Sequence, residues 1–93
     1  MRNLAKNSTY IVVIHKGADA FNMYSKVVNA YKITNGKRSP LDFENERVGY
    51  FTSSRQVAKE YLTKIGFNVP RYESEAQNIV VITHDVKYRS LNK

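Results

Sequence analysis

The same tetrapeptide of β-branched residues stands near each end of the chain, as Ile11-Val12-Val13-Ile14 and as Ile79-Val80-Val81-Ile82. A run that is apolar at both odd and even positions reads as a strand covered on both faces. A chain of 93 residues has room for one compact core, so both runs must contribute to it. They are therefore expected as neighbouring strands at the centre of a single sheet. Their flanking residues do not match over any useful length, so the chain is not an internal duplication.

Between the runs, the local signals favour hairpin strands followed by one helix. Asn35-Gly36 accepts positive φ at both positions and favours a two-residue hairpin turn, which places a strand near 26–34. Residues 19–25 stay open between helix and loop. Pro40 cannot donate to a ladder, so 37–46 is an edge or a loop. Arg47 to Phe51 reads as a short strand. Ser53 and Gln56 then have capping-box spacing, and Val57, Ala58, Tyr61, Leu62 and Ile65 share one helical face. Gly66 is placed to stop this helix, predicted over 53–65, and Asn78 to about Tyr88 forms the last strand. The expected fold is a single α+β domain over residues 1–93. It has a small antiparallel-rich sheet of about four strands, in chain order β-β-β-α-β, with one amphipathic helix on one face. Residues 1–8 and 89–93 are expected as flexible ends. One helix covers one face only, so the second face calls for residues 18–25, the carboxy-terminal tail, a partner or a second copy of the chain.

The search for chemistry excludes more than it offers. There is no Cys, which removes disulfides and thiol catalysis. No Gly-rich phosphate loop is present. His15 directly follows the first run and His84 follows the second after one residue. If the runs pair in register, the two imidazoles fall on opposite faces, which speaks against a shared metal site. Ser53-Ser54 lacks a base and an orienting acid in any motif, and the cap already accounts for Ser53. Asp42, Glu44 and Glu46 read as a solvated acidic run. No cofactor, no metal and no enzymatic activity are expected. No secretory leader or membrane span is read, so a cytoplasmic setting is expected (the host cytoplasm if the chain is of phage origin).

Charge and aromatic content supply the remaining signal. The net charge is +7, and residues 1–38 hold an excess of six positive charges against one for residues 39–93. Seven Tyr and four Phe are interleaved with these cations. Lys26 and Lys32, at even spacing, are expected on one face of a strand. With Lys37 and Arg38 they would contact phosphates, Tyr31 would stack on a base, and Arg47 and Arg55 would add contacts at the strand-to-helix corner. Free NH groups at the helix start form a weaker anion site. Phe21, Tyr24 and Tyr72 are candidate anchors for a protein partner.

The stretch Gly49-Tyr50-Phe51-Thr52-Ser53-Ser54-Arg55-Gln56-Val57-Ala58-Lys59-Glu60-Tyr61 resembles a theme found in AP2-type and integrase arm-type DNA-binding domains. In those domains a three-stranded sheet enters the major groove, so the resemblance implies nucleic-acid contact. This chain departs from them by adding a strongly apolar strand after the helix. In its overall style it is similar to small phage or mobile-element accessory proteins. The expected function is a non-enzymatic basic binding protein that docks on nucleic acid or a nucleoprotein complex. The alternative is an inhibitor or adaptor that occupies an acidic patch of a protein, such as a bacterial defence or host enzyme.

Overall fold

A computed structural model describes residues 2–18, 23–41, 48–50 and 52–85. In chain order the elements are β1 (Arg2–Asn3), β2 (Ser8–Ala18), β3 (Met23–Thr34), β4 (Lys37–Pro40), β5 (Val48–Tyr50), α1 (Ser54–Lys64), β6 (Phe67–Asn68), a 3-10 turn at Glu73–Glu75 and β7 (Ile79–Asp85). β2 and β3 form a long antiparallel hairpin. β7 lies parallel to β2 on the other side, so the two Ile-Val-Val-Ile runs are neighbours. β5 and β4 share the outer edge of β3, pairing with Tyr24–Lys26 and Tyr31–Thr34 respectively. The result is an α+β fold with a five-stranded mixed sheet in which antiparallel pairs predominate. No helix among the described residues is long and apolar enough to cross a membrane.

The local signals act where the sequence places them. Asn35 and Gly36 both have positive φ and close the β3–β4 hairpin. Residues 23–25 are strand, so β3 begins three residues earlier than expected. The side chain of Ser53 accepts from the Gln56 backbone NH, as a cap should. The Gln56 side chain does not reach back; it donates to Glu60 Oε2 one turn along. Gly66 takes φ 108° just past the helix, a conformation that other residues rarely adopt.

α1 lays Val57, Ala58, Tyr61 and Leu62 on Tyr10, Val12, Ile14, Val27, Ala30 and Ile79, which form one buried cluster with Phe67 and Ala76. The amino-terminal segment is tied to this body. Arg2–Asn3 pairs with Phe67–Asn68, the Arg2 guanidinium lies 4.3 Å from the centre of the Phe67 ring, and the Ala5 NH donates to the Tyr10 hydroxyl. Asn78 donates to the carbonyls of Ala5 and Ser8. Residues 2–8 are thus fixed by long-range contacts that leave no periodic mark in a polar sequence. Residues 86–93 lie outside the described part of the chain.

Two glycines separate tight packing from soft packing. A Cβ on Gly49 would sit 2.5 Å from Val57 Cγ2 and 3.2 Å from Thr52 Cβ. Valine is stiff at χ1 and held by the core, so the helix itself would have to move. A Cβ on Gly17 would meet the hydroxyl end of Tyr24, which can swing away. Gly49→Ala should therefore cost about 1–3 kcal/mol as an overpacking change. Gly17→Ala should stay within about 0.5 kcal/mol of the parent. Guanidinium melts of the two variants measure the difference.

Candidate functional site

Strand parity sorts the side chains of the sheet into a face under α1 and a face turned away from it. Even-numbered residues of β2 from Ser8 to Ile14 are buried beneath the helix side, and Thr9, Ile11, Val13 and His15 point the other way. On β3 the parity changes midway. Val13 pairs with Asn29 and Ile14 with Val27, which leaves Val28 as an extra residue in a bulge. Burial records the switch, since Val27 and Ala30, three apart, are both fully buried.

The bulge separates Lys26 from Lys32, which the sequence places on one face. Lys26 pairs with His15 and lies on the face turned away from α1; Lys32 pairs with Tyr10 and lies on the helix side. The two cations of β4 divide likewise. Lys37 pairs with Thr34, whose hydroxyl bonds the buried Ser8 hydroxyl at 2.6 Å, so Lys37 is on the helix side. Arg38 pairs with Ile33 on the face turned away from α1 and places its guanidinium 4.2 Å from the centre of the Tyr31 ring. Of the candidate residues, Lys26, Tyr31 and Arg38 share a face, and Lys32 and Lys37 do not join them.

Arg55 serves the fold directly. Its two terminal nitrogens donate to the carbonyls of Ile79 and Ala76, at 2.8 and 2.9 Å, and clasp the helix start to the beginning of β7. Arg47 lies outside the described residues, as do Phe21, the acidic run Asp42, Glu44 and Glu46, and the tail residues Tyr88 and Arg89. Tyr72 is 65% exposed on the connection after β6.

The histidines also change places relative to expectation. β2 and β7 are offset by one residue, with Ile11 opposite Val80, so His15 faces His84 directly. Their rings lie on the same face, 6.0 Å between centroids and edge to face. The reason is that both runs are apolar at every position, so either register buries a full set of side chains and the pattern does not choose. Among the described residues no third acid, Cys or His joins the pair.

Among the described residues, the face turned away from α1 therefore has an apolar centre and a polar, cationic border. Ile11, Val13, Ile33 and Ile82 are half-buried in the middle, and Val80 is 40% exposed beside them. Around them stand Tyr24, Lys26, Tyr31, Arg38, Tyr50 and the two histidines. Sequence reasoning missed Ile11, Val13, Val80 and Ile82 as surface residues because an all-apolar run hides which half faces out. A shallow groove of about 550 Å³ along α1 is lined by Lys59, Glu60, Lys64 and Arg71 together with Val69 and Pro70. No family model, curated protein or solved structure matches the chain.

Proposed function

We propose that the protein works by binding, without catalysis, and docks an acidic patch of a protein partner on the face of its sheet turned away from α1. The observation that carries this reading is the apolar centre of that face, edged by the Tyr31–Arg38 pair, Tyr24, Tyr50 and Lys26. Protein interfaces have this anatomy, with a desolvated middle, a polar rim, and Tyr and Arg side chains packed against the middle as the residues that carry most of the affinity. Among the described residues no carboxylate lies on this face by strand parity, since Asp85 pairs with Lys16 on the helix side. Rim cations would steer an acidic partner to the face.

Nucleic acid is the second reading, and the Tyr31–Arg38 pair favours it, because a ring and a guanidinium together can hold a base and its phosphate. It ranks second because Lys32 and Lys37 are on the other side of the sheet and Arg55 is engaged by backbone carbonyls. A phosphate chain needs more cations than Lys26 and Arg38 to track along the strand.

The test compares the parent with Tyr31→Ala/Arg38→Ala in capture from nuclease-treated bacterial lysate, beside anisotropy with single-stranded and duplex oligonucleotides. A protein held by the parent after nuclease and weakened at least ~30-fold by the double change is the expected result, since paired hot-spot residues carry 2 kcal/mol or more. Oligonucleotide binding with a steep salt dependence, and no protein retained after nuclease, would replace the first reading with the second. Capture unaffected by the double change would move the interface off this face.

A further inference from the structure

We propose that His15 and His84 form a two-imidazole binding site for a first-row transition-metal ion such as zinc, nickel or copper. The two residues are Cα partners on adjacent parallel strands, so their side chains leave the sheet side by side in the same direction. Two imidazoles on one tetrahedral zinc have ring centroids roughly 5 Å apart, given metal–nitrogen bonds of about 2.0–2.1 Å. The observed 6.0 Å is about one ångström wider, within reach of a small χ1 adjustment at two rings that are not locked in the core. His84 is exposed and His15 half-buried, so an ion can enter from solvent and keep water in its remaining positions.

The surroundings set the metal class. Imidazole suits zinc, copper and nickel, whereas magnesium and calcium require oxygen donors. No described carboxylate lies on this face by parity, and Lys26 flanks His15 on the side away from His84. The site therefore disfavours hard cations. It also has a structural consequence. Among the described strands β7 lies at the sheet edge; its Thr83, His84 and Asp85 are all exposed, and α1 reaches β7 through Arg55 at the opposite end of the strand, at Ile79. An ion bridging His15 and His84 would add a side-chain link between the exposed end of β7 and the central strand β2, whose backbones already pair there.

Isothermal titration of the full chain with zinc chloride, with magnesium chloride as control, tests the proposal. One zinc per chain, no magnesium heat, and a loss on the order of 100-fold in affinity for either His15→Ala or His84→Ala is the expected result, because the second ligand acts at high effective concentration. Zinc should also raise the melting temperature of the parent and leave that of His84→Gln unchanged; the melts show at the same time that each variant is folded. No zinc heat at millimolar concentration, or zinc binding equal in the parent and both variants, overturns the proposal.

Discussion

Arg55→Met is expected to lower the unfolding free energy by about 2–3 kcal/mol, with two charge-assisted hydrogen bonds lost at about 1.5–3 kcal/mol each and partial recovery from hydration and dipole terms. The side chain sits in the first turn of α1, where a cation is disfavoured by about 0.3–1 kcal/mol through the helix dipole. Its presence there is explained by the carbonyls of Ala76 and Ile79, two residues that are almost fully buried. Ala76 O retains the NH of Ile79 at 3.1 Å when Arg55 is lost, so its share of the penalty is reduced. Methionine keeps the aliphatic stem packed and removes only the fork. Arg55→Lys should recover less than half of the loss, since one ammonium lacks the geometry to reach both carbonyls. In a domain of this size 2–3 kcal/mol corresponds to a melting point roughly 10–20 °C lower. Denaturant titration should show a lower midpoint at unchanged slope. A variant with parental stability but weaker binding to a polyanion would restore Arg55 to the ligand-contact role that its sequence position suggests.

The legible parts of this fold are those decided by neighbours in sequence. Asn35-Gly36 makes its turn because both residues tolerate positive φ, Ser53 caps because its oxygen reaches the Gln56 NH, and Gly66 ends the helix because it adopts φ 108°. The two Ile-Val-Val-Ile runs announce neighbouring strands and do pair, but only β2 is central; β7 stands at the edge of the described sheet, where the expectation placed both runs in the middle. Registers and faces were not legible, and the reasons are specific. An all-apolar tetrapeptide pairs equally well in two registers, and the one adopted brings His15 opposite His84. The bulge falls at Val28, next to Val27, with no Gly or Pro to mark it, and that single extra residue moves Lys32 to the side opposite Lys26. Arg55 and the amino-terminal segment act over 21 to 73 residues of sequence, through carbonyls that carry no side-chain signature.

The two sides of β2 should respond oppositely to the same charge. Val12 is fully buried between Ala30 and Val81, beneath α1. Val12→Glu removes a buried side chain worth about 1.5–3 kcal/mol. It also places a carboxyl where ionisation is penalised by several kcal/mol. Together these approach or exceed the roughly 5–14 kcal/mol expected for a domain of this length. Circular dichroism at neutral pH should therefore show a largely unfolded chain. Val13, the next residue, points to the face turned away from α1 between Asn29 and Ile82 and is only half-buried. Val13→Glu can extend its carboxylate into solvent, so its cost should be about 1 kcal/mol, the size of a strand-propensity change. The domain should keep its spectrum and its cooperative melt. Capture of an acidic protein should nevertheless be lost, because the change removes an apolar contact at the centre of the face and adds a repelling charge there. Unfolding by both substitutions would mean that this face is a second buried core and is closed to a partner. Folding of both with capture intact would place the docking surface elsewhere on the molecule.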